Sequence, residues 1–134
     1  MVHTATIRVR FAELDPYHHV NHTVYMTYFE VARVEAMEAV GLDLAVLQAD
    51  GWQLVVTELD VRFRRPAVSG DSLSVDCSIT EMGGASCRWF QRVRRGDLVL
   101  VEGRLRTGVT DSTGRPRRMP AELVARLAPL VETA

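Results

Sequence analysis

The sequence predicts an α+β domain in which one long helix packs against an antiparallel sheet of about five strands. A short alternating run precedes a single apolar stripe at helical spacing, and residues 55 to 109 then return to period two with tight turns between the runs. With 134 residues and 15.0 kDa, a single domain over residues 1–134 with one core is expected.

Each element has its own signal. Ala5, Ile7, Val9 and Phe11 alternate with Thr6, Arg8 and Arg10, the pattern of a half-buried strand. From Thr23 the spacing changes to threes and fours, so that Tyr25, Phe29, Ala32, Ala36 and Val40 form one face of a helix over residues 23–40. Asn21 is its expected N-cap and Gly41 its expected C′ residue. Val55, Thr57, Leu59, Val61 and Phe63 then alternate with Val56, Glu58, Asp60, Arg62 and Arg64 until Pro66 stops the run. Leu73, Val75, Cys77 and Ile79 mark a further strand, Gly83 and Gly84 a turn, and residues 86–93 and 98–109 a hairpin about Arg95, Gly96 and Asp97. A short amphipathic helix over 120–127 has Pro120 in its first turn and Pro129 beyond its end. Such a sheet leaves an edge and a face to cover, for which pairing with a second copy is a common solution.

Composition narrows the function. The chain is 47% hydrophobic and 25% charged, which excludes a disordered tail, and its net charge of −1 lacks the basic surplus that general nucleic-acid binding requires. All 16 basic residues are arginine. No stretch approaches the ~18 apolar residues of a membrane span, and the first ten residues lack the apolar core of a signal peptide, so a cytoplasmic protein without membrane attachment is expected. Cys77 and Cys87 fall in strand-like segments and read as buried reduced thiols rather than a disulfide or metal pair.

The run LDPYHHVNHTVYMTYFEVAR places one carboxylate, Asp15, and three histidines at the mouth of the long helix. Unpaired N–H groups and the helix dipole favour negative charge there, so a carbonyl oxygen could rest on the helix end with Asp15 acting on the carbonyl carbon or on a water. Thioesters suit so sparse a site because a thiolate leaves without a strong acid. No serine lies in a G-x-S-x-G elbow, and neither cysteine lies in a suitable loop.

These residues carry a resemblance. The segment RVRFAELDPYHHVNHTVYMTYFEVAR resembles the N-terminal signature of hotdog-fold acyl-CoA thioesterases of the 4-hydroxybenzoyl-CoA thioesterase group. Its LDPYHHVN and YFEVAR portions are similar to the long-chain acyl-CoA branch, and VRFRRPAVSGDSLSV fits the next family signature. The resemblance implies a single hotdog domain, a homodimer or homotetramer with sites at the subunit interface, and an acyl-CoA substrate. It implies no cofactor beyond the coenzyme A of that substrate, and no metal. Asp15 stands where the group has its catalytic carboxylate, and the backbone N–H of His22 where it polarises the thioester carbonyl. Many relatives have glycine where this chain has His18.

Other readings of the same residues remain. Asp15 precedes proline and could be a turn former, and Asn21 reads as a cap that supports the helix mouth. His18, His19, His22 and Asp15 are acceptable zinc ligands, but their spacing matches no established pattern. Glu30, about two turns into the helix, is a rival catalytic carboxylate because another hotdog branch draws its glutamate from this helix; otherwise it forms a buried ion pair with Arg33. Tyr25 and Tyr28 are expected to pack, with one hydroxyl near the site. Arg62, Arg64 and Arg65, with Arg88, Arg92, Arg94 and Arg95, are either solvated strand faces or contacts for coenzyme A phosphates. A hydratase or dehydratase acting on acyl thioesters, or a non-catalytic acyl-CoA binding dimer, are the alternative functions.

Overall fold

The computed structural model describes residues 1–132. In chain order they form β1 (His3–Arg8), α1 (Val24–Ala39), α2 (Leu44–Asp50), β2 (Gln53–Phe63), β3 (Ser72–Met82), β4 (Ser86–Arg95), β5 (Leu98–Thr110), β6 (Pro116–Arg117) and α3 (Ala121–Leu127). The sheet runs β1-β3-β4-β5-β2 with every pair antiparallel, and the two-residue β6 adds to the end of β5. The expected helix-on-sheet α+β architecture is therefore present, with five long strands and one short one. No helix among the described residues is long and apolar enough to cross a membrane.

The seat of α1 on the sheet follows from residue size. Tyr25, Tyr28, Phe29, Ala32, Ala36 and Met37 are its buried side chains, and the two alanines are fully inaccessible. Gly103 lies beneath Phe29: a Cβ there would come within 2.7 Å of the ring, so the helix sits close only because that strand position has no side chain. Beside it, the buried Gln91 amide of β4 donates to the Phe29 carbonyl at 2.9 Å and accepts from Arg33 Nη1 at 2.8 Å, tying helix to sheet. The C-terminus of α1 closes in a Schellman motif, with Gly41 at φ 81°, its N–H bonded to the Glu38 carbonyl and the Leu42 N–H bonded to the Met37 carbonyl.

Several expectations change in detail. The first strand ends at Arg8, and Phe11 opens a 3₁₀ turn, Phe11–Glu13, with its ring 81% exposed, because Glu13 bonds back to the Arg10 N–H and guanidinium and turns the chain out of the sheet. The simple alternation in β2 fails at a bulge between Val56 and Glu58. Leu54 and Val56 share the helix-facing side with Leu59, Val61 and Phe63, while Val55 faces outward. Helix α2 was not signalled by periodicity at seven residues; its ends were, since the Asp43 carboxylate caps the Val46 N–H and Gly51 takes φ 73° at its C-terminus. Val40 is only half-buried, whereas Tyr28 and Met37 join the buried stripe. Cys77 and Cys87 are buried free thiols, and burial pushes Cys77 up to about 12.

The outer sheet face carries ion pairs, the deepest centred on Asp76. It is 5% exposed and receives Arg92 Nε and Arg94 Nε at 2.7 Å and the Thr4 hydroxyl at 2.8 Å. Burial alone would raise its pKa, but bonds from Arg94, Arg92 and Thr4 outweigh that and hold it at about 2. A folded pKa below the unfolded one means stability that is full above the unfolded value and is lost as pH falls toward 2. Asp76→Asn is expected to lower stability at pH 7 by about 2 kcal/mol and to flatten the acid limb between roughly pH 4 and 2, read from urea unfolding across that range; an unchanged acid limb would refute the assignment.

Candidate active site

The segment from Glu13 to Asn21 is a closed loop. Leu14 bridges Val20, the Asn21 N–H donates to the Glu13 carbonyl at 2.9 Å, and the Asp15 N–H donates to the His19 carbonyl at 2.7 Å. Within it, Asp15 Oδ1 accepts the Tyr17 N–H at 2.8 Å and the His19 N–H at 3.1 Å. Asp15 is thus a turn former through one oxygen; its Oδ2 has no partner among the described residues, and the half-buried carboxylate lines a pocket. His18 takes φ 63°, the left-handed conformation that suits glycine. The exposed His18 imidazole has no hydrogen-bond partner among the described residues.

The helix mouth follows directly. The N-cap of α1 falls at Thr23, whose side chain makes no cap bond, rather than at the expected Asn21; Asn21 stands two residues earlier, where its Oδ1 accepts the Thr23 N–H at 3.0 Å and the Thr23 hydroxyl at 2.9 Å and its carbonyl accepts the Val24 N–H at 2.9 Å. The His22 N–H has no acceptor among the described residues, at the positive end of a 16-residue helix. The His22 ring meets Phe63 edge-on at 6.4 Å.

Asp15 and His22 face one open pocket of about 320 Å³, completed by Tyr25, Phe63, Arg64, Arg65 and Pro66. It joins the loop before α1 to the end of β2, segments separated by two helices and a strand. Two tyrosines hold the join. The Tyr25 hydroxyl accepts the Ala67 N–H at 3.1 Å, and the Ala67 carbonyl accepts the Val20 N–H at 2.9 Å. Tyr28 donates to Glu13 Oε1 at 2.8 Å. Burial pushes both phenols up, so they stay protonated. Burial would also raise Glu13, but bonds from Arg10 and Tyr28 outweigh it and hold the carboxylate ionised. The tyrosines pack as expected, and the hydroxyl expected near the site is that of Tyr25, a pocket wall; Glu13 as the partner of Tyr28 had no signal in the sequence.

Glu30 is elsewhere. It is exposed on the flank of α1, away from the Asp15 pocket, and lines two other cavities with Arg33. The expected buried pair with Arg33 does not form, because Arg33 turns inward to Gln91 and Glu30 outward to solvent. Among the described residues no three His, Cys, Asp or Glu side chains converge as metal ligands, and His18, His19 and His22 are all exposed.

Residues 9–127 match the Thioesterase-like superfamily. The acyl-acyl carrier protein thioesterase ATL3 of Arabidopsis thaliana, a chloroplastic protein, is 32% identical over 123 residues, covering 90% of this chain; the chain spans 65% of that relative's length. The acyl-CoA thioester hydrolase YbgC of Escherichia coli is 28% identical over 121 residues, covering 89% of this chain and 90% of that protein. A thioesterase from Thermus thermophilus, solved with coenzyme A and Zn, superposes with a TM-score of 0.83 at 26% identity, over 96% of this chain and 92% of that one.

The loop geometry makes one expectation concrete. His18→Gly should leave thermal stability within about 1 kcal/mol of the parent or raise it, since relief of the left-handed residue offsets glycine's added chain entropy. His18→Val should cost about 1–2 kcal/mol in the same melting experiment. A large loss with glycine would show that the imidazole itself holds the loop.

Proposed function

The chain belongs to the Thioesterase-like superfamily, and from that premise we propose that it hydrolyses acyl-CoA thioesters to free acid and coenzyme A. The observation that carries this reading is that Asp15, one of whose oxygens has no partner among the described residues, and His22, whose N–H has no acceptor among them, line the same pocket. In this mechanism the thioester carbonyl oxygen rests on the His22 N–H, where the end of α1 stabilises the developing oxyanion. Asp15 either attacks the carbonyl carbon or takes a proton from the attacking water, and the thiolate of coenzyme A departs. Asn21 supports the site by holding Thr23 at the entry of the helix. Glu30, outside the pocket, is not given a catalytic part. Fatty acyl groups are the proposed acyl class, following the long-chain resemblance, and the cytoplasm is the proposed compartment, in keeping with two buried free thiols.

A second copy is part of the proposal. Strand β2 is an unpaired edge of 11 residues, and Val55, Val56, Leu59 and Phe63 along it are 37% to 52% exposed. A long apolar edge of this kind invites antiparallel pairing with another chain, and Phe63 is also a wall of the Asp15 pocket, so pairing there would shape the site. The proposed unit is a homodimer through β2, or a homotetramer of such pairs.

Thiol release from saturated, unsaturated and aromatic acyl-CoAs tests the chemistry. Asp15→Asn should lower kcat by at least about 100-fold, whereas His22→Ala should leave it within a few-fold because the donor belongs to the backbone. Equal turnover in the parent and Asp15→Asn would remove Asp15 and return attention to Glu30. Binding of acyl-CoA without thiol release would favour a binding dimer, and release of water from, or its addition to, the acyl chain a hydratase. By sedimentation, Leu59→Lys should shift the protein toward monomer and reduce turnover with it; a native oligomer in that variant would exclude pairing through this edge.

A further inference from the structure

Seven arginines surround the end of β2 and the β4 hairpin, and six of them already have carboxylate partners. Arg62 lies 3.5 Å from Asp60, Arg64 3.1 Å from Glu102, Arg88 3.7 Å from both Glu58 and Glu81, Arg92 and Arg94 2.7 Å from Asp76, and Arg95 2.7 Å from Asp71. Arg65 has no carboxylate partner among the described residues, and it lines the pocket shared by Asp15 and His22. Its backbone is nevertheless fixed. The Arg65 N–H donates to the Leu100 carbonyl at 3.0 Å, the Arg64 N–H to the same carbonyl at 2.8 Å, and Pro66 restricts the residue before it. An exposed guanidinium on an anchored stem therefore stands at the pocket rim.

We propose that Arg65 anchors the diphosphate of the coenzyme A moiety and so sets a preference for CoA thioesters over thioesters that lack it; this rests on the thioesterase reading above. The argument is one of charge. The pantetheine arm is uncharged, so the first anionic group outward from the sulfur is the diphosphate, and it is the group for which an exposed guanidinium beside the pocket is suited. A guanidinium there presents several donors in a planar fork that matches phosphate oxygens. Arg92, Arg94 and Arg95 would have to release a largely buried carboxylate held at 2.7 Å; Arg65 would not. The contact is the same in ground and transition states, so it acts on KM rather than kcat.

The test compares Arg65→Ala and Arg65→Lys with the parent on an acyl-CoA and on the pantetheine thioester of the same acyl group. Arg65→Ala should raise KM for the acyl-CoA about 10-fold, leave kcat within about twofold and leave both constants for the pantetheine thioester unchanged, with Arg65→Lys intermediate. An unchanged melting temperature is expected, because the side chain is exposed and unpaired. An equal effect on both substrates, a loss confined to kcat, or an effect seen only with an acyl-acyl carrier protein would each overturn the assignment. Calorimetric titration with coenzyme A alone separates the two proposals, since it needs no turnover. Binding weakened about 10-fold by Arg65→Ala in a protein that hydrolyses no thioester would end the hydrolase reading and keep the anchor, whereas turnover with Arg65-independent binding would do the reverse.

Discussion

The approach of the Phe29 ring to the backbone of Gly103 determines where α1 lies, and the site depends on that position. A methyl group on Gly103 would stand 2.7 Å from the ring, so Phe29 can lie this close to β5 only because that position is glycine. Ala32 and Ala36, both fully inaccessible, continue the close contact along the helix. Gln91 then removes the remaining freedom, since its amide is buried and both of its ends are satisfied, by the Phe29 carbonyl and by Arg33. Buried polar groups of this kind are costly when half-satisfied, so such a bridge favours one placement over its neighbours. With the helix so seated, its first turns face the loop before it and the end of β2.

The loop is built around atoms that serve two purposes. Asp15 closes the turn with one oxygen and leaves the other free, and Asn21 holds Thr23 with its side chain while its carbonyl accepts the Val24 N–H. Tyr25 and Tyr28 carry the position of α1 outward to both walls, one to Ala67 and the other to Glu13. A carboxylate and a backbone N–H held in this way by neighbours on rigid elements need little rearrangement to act together. His18 accepts an unfavourable backbone angle for the sake of this geometry, which places the strain within the loop rather than in the scaffold.

The electrostatics divide by location. On the outer face, arginine and carboxylate side chains pair across β2, β3, β4 and β5, and most of these pairs are exposed and individually worth little. Their consequence is occupancy: a paired guanidinium is a poor partner for anything else. The Asp76 cluster is the exception in energy because its carboxylate is buried. Around the pocket the balance differs, with one free carboxylate oxygen inside and one uncommitted arginine at the rim.

The sequence by itself determined the long helix, the five main strands, the C-terminal helix and their order, because periodicity and end signals are local properties; the seven-residue α2 showed no period, and the two-residue β6 is too short for one. The stripe on α1, the turn at Gly41 and the inward set Leu73, Val75, Cys77 and Ile79 are all where their spacing puts them. Asp15, Asn21 and His22 were legible for a related reason, since they are consecutive or nearly so and one motif contains them. What spacing could not supply is anything that depends on a second segment: the bulge after Val56 is a property of the pairing of β2 with β5, and the exposure of Phe11 depends on a bond between Arg10 and Glu13. The orientation of Arg33 toward Gln91 rather than Glu30 likewise required β4 to be in place. Arg65 looked like its neighbours in the sequence, and only the folded chain distinguished it, because whether a charge is free depends on which carboxylates the sheet brings beside it.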